Sequence, residues 1–259
     1  MTQTITLCMI AKNEEDCIAN AINSVKDLVD EIIVVDTGST DKTKEIAESF
    51  GAKTYNFNWN DDFSSARNFS LSKCTSEWIL ILDCDETIAK KDCEKIKELV
   101  NNEKAIAYRV IQRTYSTIQK EPKWNYNDNS YEEEEKGYSG WQYRGIVRLF
   151  KRLPELNFIY PIHESIKPSI QKVGKITSSN IVIHHFTKNT KEKNDLYLKL
   201  LNDKIVKHPS YNAFIEISIQ LKEMGFLEKS ESYYNKAMKL KDNNFVTHNK
   251  NIKNFKIIK

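Results

Sequence analysis

The sequence predicts an α/β fold: a mostly parallel sheet flanked by helices, with a small C-terminal α-helical appendage. Three observations predict it. Short apolar runs alternate with helix-periodic segments through the first hundred residues. Those runs lack polar alternation, as expected of strands covered on both faces. From Lys188 onward only helical spacing remains.

Taken in order, Ile5 to Ile10 reads as a central strand. Asn13 offers a cap for a helix carrying Ile18, Ala21, Ile22, Val25, Leu28 and Val29 at i, i+3, i+4 spacing. Ile32 to Val35 is a second strand, broken at Asp36-Thr37-Gly38-Ser39-Thr40. Asp41 then caps a short helix that Gly51 ends. Ala52 to Phe57 is a third strand, Asp62 to Ser72 a helix, and Trp78 to Leu82 a fourth strand. A β-α-β-α-β-α-β order implies parallel strands, with ligands at the carboxyl edge where the loops gather.

Further on, Ala105 to Arg113 and Gly145 to Lys151 read as strands, and Ile181-Val182-Ile183 as the last one. The polar stretch from Tyr115 to Ser139 contains Glu132-Glu133-Glu134-Glu135, which reads as a solvated, mobile loop and a candidate flap. Leu196, Leu200, Leu201 and Ile205 keep helical spacing up to the break at His208-Pro209. Phe214, Ser218, Leu221, Gly225, Ser230, Tyr234 and Ala237 then resemble a single tetratricopeptide repeat. Because solenoids need about three repeats, a lone copy is expected to pack on the first domain, dimerise or bind the acceptor. The basic segment Lys250 to Lys259 is expected to fray. The expected domains are 1–187, with halves 1–100 and 101–187, and 188–259.

Composition excludes several classes. The chain has 259 residues and a net charge of only +3, so no nucleic-acid footprint is expected. No apolar run approaches the roughly 18–20 residues of a transmembrane segment, and Met1-Thr2-Gln3-Thr4-Ile5 opens a strand rather than a basic leader. A cytoplasmic protein is the expectation. Five cysteines without a CxxC pair argue against a disulfide framework and a zinc site.

Polar clusters follow three of the strands. Lys12-Asn13-Glu14 comes after the first, Asp36 to Asp41 after the second, and Asp83-Cys84-Asp85-Glu86 after the fourth. Carboxylates spaced i, i+2 at a buried strand end suit Mg²⁺ or Mn²⁺ holding a diphosphate, since hard cations bind through one or two protein carboxylates plus phosphate and water. The plainer alternative for the tetrapeptide is an acidic turn. Asp36 can accept from a base or ribose, and Gly38 permits close backbone approach.

Together, Met9-Ile10-Ala11-Lys12-Asn13-Glu14, Val34-Val35-Asp36-Thr37-Gly38-Ser39-Thr40-Asp41, Asp62-Phe63-Ser64-Ser65-Ala66-Arg67-Asn68 and Trp78-Ile79-Leu80-Ile81-Leu82-Asp83-Cys84-Asp85-Glu86 resemble the family 2 glycosyltransferases in order and spacing. The resemblance implies a GT-A fold, a UDP-sugar donor with UDP-glucose or UDP-N-acetylglucosamine foremost, a divalent cation and inversion at the anomeric carbon. It sets Ala11, Asn13, Glu14, Asp36, Gly38, Arg67, Asn68, Asp83 and Cys84 around the donor and makes Asp85 a metal ligand. Cys84 departs from the alanine more usual in this branch, and its thiol would make the site sensitive to oxidation or soft metals.

Inversion needs one base near the acceptor's hydroxyl or thiol. Tyr160-Pro161-Ile162-His163-Glu164-Ser165-Ile166, after Arg148-Leu149-Phe150, resembles the family's histidine-glutamate segment. Glu164 is the first choice and His163 the second. In His184-His185, His184 matches the histidine after the family's last strand; a neutral imidazole there would complete the metal shell, and a protonated one would meet the leaving diphosphate. The expected activity is UDP-dependent transfer of a hexose or N-acetylhexosamine to a polypeptide such as a flagellin or secreted peptide. The alternatives are transfer to a surface polysaccharide or lipid-linked glycan, and a non-catalytic helical-repeat scaffold. A nucleotidyltransferase is disfavoured because Ile10-Ala11-Lys12-Asn13-Glu14 lacks a glycine-rich loop.

Overall fold

A computed structural model describes residues 3–101, 105–119, 124–187 and 190–253, with side chains placed through 241. The chain forms two compact units, Met1–Lys188 and Asn189–Lys259.

In the first unit, β1 (Ile5–Ala11), α1 (Ile18–Val25), β2 (Glu31–Asp36), α2 (Thr43–Ser49), β3 (Lys53–Asn56), α3 (Phe63–Leu71) and β4 (Trp78–Ile81) alternate as the apolar pattern predicts. Then come β5 (Glu86–Ile88), α4 (Lys90–Val100), β6 (Ala107–Ser116), β7 (Trp124–Tyr126), α5 (Glu132–Glu135), β8 (Gly140–Lys151), α6 (Lys167–Val173) and β9 (Ile176–His185). The described strands form one sheet ordered β3-β2-β1-β4-β8-β6-β9-β5, with β7 added to β8. From β3 to β4 all pairs are parallel. β8 enters antiparallel beside β4, and β6 and β9 run parallel to each other. Core residues cover both faces: Leu7, Met9, Ile22, Trp78 and Leu80 on one, Cys8, Ile33, Ile79, Ile81 and Phe150 on the other. That explains the unbroken apolar runs.

Three local expectations need correction. Asn13 does not cap α1: it is left-handed at φ 55°, and its side-chain oxygen accepts the Thr40 amide at 2.8 Å. Asp41 is not the cap of α2 either: the N-cap is Lys42, without a side-chain cap bond, and the Asp41 carboxylate accepts the Thr43 amide at 3.0 Å from the residue before it. The stretch from Tyr115 to Ser139 is not a solvated loop where it is described. β6 runs on to Ser116, β7 pairs with β8, and Glu132–Glu135 forms α5. Glu135 is 4% exposed and bonded to Arg113 at 3.3 Å. A run of four glutamates reads as solvent-facing because its cationic partner lies on another element.

The second unit holds α7 (Lys191–Lys207), α8 (Tyr211–Glu223) and α9 (Leu227–Lys253). Thr190 and Ser210 cap α7 and α8. Gly225 takes φ +82° in the α8–α9 turn, a conformation glycine adopts without strain. Ser218 and Ser230 face one another, each hydroxyl donating to the other's carbonyl at 2.8 Å. Phe214 meets Tyr233, whereas Tyr234, the residue expected at the repeat's aromatic position, is 47% exposed. Helix α9 continues to Lys253, and the rest of the segment expected to fray lies outside the described residues.

At Gly140, where β7 closes on β8, a Cβ would lie 2.2 Å from the Asn125 carbonyl and 2.6 Å from the Trp124 ring. Gly140→Ala is expected to push β7 off β8 and cost about 1–3 kcal/mol in urea unfolding. An unchanged midpoint would mean β7 yields freely.

Candidate active site

The carboxyl ends of β1 and β2 are stitched together by short-range hydrogen bonds. The Ala11 carbonyl accepts the Thr37 amide at 2.9 Å, Asn13 N–H donates to Ser39 Oγ at 2.9 Å, and Glu14 N–H to Thr43 Oγ1 at 2.7 Å. The Asp36 carboxylate, 7% exposed, accepts the Ser39 amide at 3.1 and 3.2 Å across the turn that Gly38 makes at φ +109°. Ala11, Asn13, Glu14, Asp36 and Gly38 therefore share one edge.

A buried charge network sits beyond the end of β4. Asp83 takes the Arg67 guanidinium on Oδ1 and Arg148 Nη2 on Oδ2 at 2.5 Å. Arg67 Nε reaches Glu164 at 3.2 Å, and Arg148 Nη2 reaches Glu86 at 3.0 Å. Glu86, fully buried, also accepts the Asp83 amide at 2.9 Å and the Gln112 side-chain amide. Burial alone would raise the Asp83 carboxyl, yet Arg148 and Arg67 hold it well below the usual carboxylate range. Burial pushes Glu86 up, with Arg148 opposing. Arg67 stays charged because Asp83 and Glu164 outweigh its desolvation. Arg67 Nη1 and Arg148 Nε are buried without a hydrogen-bond partner among the described residues, so the network has two donors to spare.

The sequence assigns Arg148 no role, and a backbone irregularity explains its aim. Tyr108 pairs with Leu149 and Arg109 with Val147, leaving Arg148 as the unopposed residue of a β-bulge. Bulges re-aim side chains near functional sites. The run Arg148-Leu149-Phe150 carries no local sign of one.

The residues expected to hold a metal also differ from expectation. His185, not His184, faces Asp85, with Nε2 3.4 Å from Oδ2. His185 Nδ1 lies 3.1 Å from Thr114 Oγ1, which orients the ring as outer partners of ligating histidines do. Adjacent strand residues point to opposite faces, and His184 is fully buried against Tyr115 and Tyr131, its Nδ1 2.8 Å from the Tyr115 hydroxyl. Burial, then Arg113, lowers the His184 pKa to about 3. It is a neutral core imidazole. Asp85 and His185 supply one oxygen and one nitrogen, a donor pair that fits Mn²⁺ or Mg²⁺ completed by phosphate and water. No cluster of three or more ligand-type side chains occurs among the described residues.

Two other residues leave the expected set. Asn68 is spent on the backbone of Phe158, donating to its carbonyl at 2.9 Å and accepting its amide at 2.7 Å. Cys84 is 4% exposed, and burial, with Glu14 next, pushes its thiol well above the ordinary range. An unionised, buried thiol is not a redox handle. Asn68 instead pins the segment that presents Glu164, helped by Phe63 N–H donating to the Pro161 carbonyl at 2.9 Å. Tyr160 and His163 take φ 77° and 52° in that segment. Left-handed non-glycine residues persist where surrounding contacts enforce them.

The model for Glycosyl transferase family 2 matches residues 6–159, more than half the chain. The chain belongs to Glycosyl transferase family 2. Among relatives of this family 2 domain, a TPR repeat-containing protein of Synechococcus elongatus is 34% identical over 166 residues, 64% of this chain and 36% of that protein. The SPbeta prophage-derived glycosyltransferase SunS of Bacillus subtilis is 31% identical over 195 residues, 74% of this chain and 42% of SunS. The chain thus spans less than half the length of these curated relatives. Staphylococcus aureus TarS in complex with UDP-GlcNAc shares the fold at TM-score 0.53 and 13% identity, over 84% of this chain and 71% of that one. Mycobacterium tuberculosis glucosyl-3-phosphoglycerate synthase, in complex with Mn²⁺, UDP and phosphoglyceric acid, does so at 0.51 and 17%, over 79% and 78%.

Two outcomes are expected of this family 2 domain. Arg148→Ala leaves Glu86 without a cation and Asp83 with Arg67 alone, and should cost about 3–5 kcal/mol by urea unfolding; a loss below about 1 kcal/mol would show water replacing the guanidinium. Because the folded pKa of His184 lies below its unfolded value near 6.5, only the unfolded chain gains this proton between those values, so the contribution is lost as pH falls. From pH 7 to pH 5 it amounts to about 2 kcal/mol. His184→Gln should flatten the stability slope in that window, and an equal slope in both proteins would refute the assignment.

Proposed function

We propose that this domain transfers a hexose or N-acetylhexosamine from a UDP-sugar, UDP-glucose or UDP-N-acetylglucosamine, to an acceptor hydroxyl or thiol with inversion at the anomeric carbon. The pairing of Asp85 with His185 carries the reading. Asp85, on the segment leaving β4, and His185, at the end of β9, offer one oxygen and one nitrogen donor. Family membership and neighbours that hold UDP-GlcNAc, or Mn²⁺ with UDP, support it.

Each residue then has a task. Asp36 accepts from the uracil or ribose at the end of β2, with Gly38 allowing close approach and Ala11, Asn13 and Glu14 framing the pocket. Asp83, locked between two guanidiniums, faces the ribose. Arg67, itself locked, sets Glu164 in place through the 3.2 Å contact. Glu164 takes the proton from the acceptor. Asp85 and His185 hold the divalent cation, which when bound offsets charge developing on the leaving diphosphate. The spare donors on Arg67 and Arg148 are suited to ligand oxygens.

The acceptor we favour is a polypeptide side chain, and the action cytoplasmic. No described helix is long and apolar enough to cross a membrane. The α8–α9 hairpin has the serine pairing and glycine turn of a repeat unit, and one relative is named for such repeats. We read residues 188–259 as a tetratricopeptide-like tail that binds the acceptor or a second copy.

UDP release from a panel of UDP-sugars, measured with Mn²⁺ and with EDTA, tests the class. Metal-dependent release from one donor is expected, with Asp85→Ala and His185→Ala each abolishing it at little cost to the unfolding midpoint. Full release by Asp85→Ala in EDTA would remove the metal from the mechanism. Glu164→Gln should retain UDP binding and slow transfer by about 10²–10⁴; native-rate transfer would place the base elsewhere.

A further inference from the structure

We propose that Arg144 is an oxyanion-binding residue on the acceptor side of the site, so that the acceptor carries a phosphate or carboxylate near the group that receives the sugar. This rests on the donor reading above and extends it to the substrate's charge.

Arg144 lies on β8, five residues beyond Leu149, which marks the end of the β4–β8 pairing toward the carboxyl end of β4. It therefore overhangs that end. Arg144 pairs with Gln112 on β6, one same-face position from Thr114. Thr114 in turn pairs with His185 and touches its ring. The row His185–Thr114 and the row Gln112–Arg144 are thus consecutive on the face that carries the metal pair. Asp36 and the nucleotide edge lie on β2, beyond β4 and β1, which puts Arg144 on the acceptor's side.

Its side chain is held rather than loose. Gln112 is 1% exposed, and both ends of its amide are spent: the nitrogen donates to fully buried Glu86, and the oxygen accepts Arg144 Nε at 2.5 Å. A solubilising surface arginine does not need a buried glutamine to hold its Nε. With Nε occupied, the two Nη groups form the open end of the fork, the geometry that grips oxyanions bidentately. Arg67, Arg113 and Arg148 each face carboxylates. Arg144 is exposed and has no carboxylate partner among the described residues. A cation fixed through a buried relay, beside the reacting centre and without a counter-charge, is built for an anion that arrives with a ligand.

The test follows the Arg144 Nε–Hε NMR resonance of the whole chain, assigned by its loss in Arg144→Lys, during titration with inorganic phosphate, with and without UDP and Mg²⁺. The expected result is a saturable shift in both states, with phosphate affinity falling about tenfold or more in Arg144→Ala and UDP affinity unchanged. A shift seen only without UDP, and abolished by it, would assign Arg144 to the donor's diphosphate and overturn the proposal. So would no saturable shift, or equal phosphate affinity in Arg144→Ala. Failure of UDP to bind the native chain would sink the donor reading instead, while the titration without UDP still decides whether Arg144 binds an oxyanion.

Discussion

Asp83 held between Arg67 and Arg148 is the interaction on which the site depends. Both arginines are nearly buried, 3% and 8% exposed, and removing a guanidinium from water costs several kcal/mol unless carboxylates answer it. Three answer here. Asp83 joins the two cations, Glu164 takes the free side of Arg67, and Glu86 takes Arg148. Each arginine comes from a different half of the domain, so the network fastens the parallel half to the antiparallel half. Its desolvation penalty makes it a poor source of stability and a strong source of geometry, because any displacement leaves a charge unpaired.

Topology supplies the rest of the arrangement. The parallel strands β3 to β4 bring their carboxyl ends to one edge. β8 runs against them and carries on past β4, so one long strand contributes Arg148 within the network and Arg144 beyond it. The β-bulge accompanies the first of these: Arg148 stands opposite no residue of β6 and is released from strict alternation. Asn68 and the left-handed Tyr160 and His163 shape the segment that brings Glu164 back to α3.

The sequence is most legible where the physics is local. Unbroken apolar runs mark strands buried on both faces, as β1, β2 and β4 are, and Asp41 turns the chain into α2 because its side chain reaches an amide two residues away. The carboxylates that follow β1, β2 and β4 emerge at one edge because parallel strands share a direction, which the β-α-β order already implies. Legibility ends with partners distant in the chain. Glu132 to Glu135 reads as solvent-facing, as Glu132 and Glu133 are, but Arg113 draws Glu135 inside. Asn68 reads as a ligand group until the Phe158 backbone takes both ends of its amide. Tyr233, not Tyr234, meets Phe214, because the phase of a helix shows only against its neighbour.

By itself, then, the sequence determined the fold class, the order of the first four strands and the edge where the chemistry gathers, all of which follow from periodicity and connectivity. Only the tertiary structure decided which histidine faces Asp85. His184 and His185 are adjacent and chemically identical, and one residue of register sends one ring into an aromatic core and the other to the carboxylate. The same holds for Arg148 and Arg144, whose roles come from a bulge, a strand overhang and a buried glutamine. Register, bulge and burial belong to pairs of strands, and no single stretch of residues encodes them.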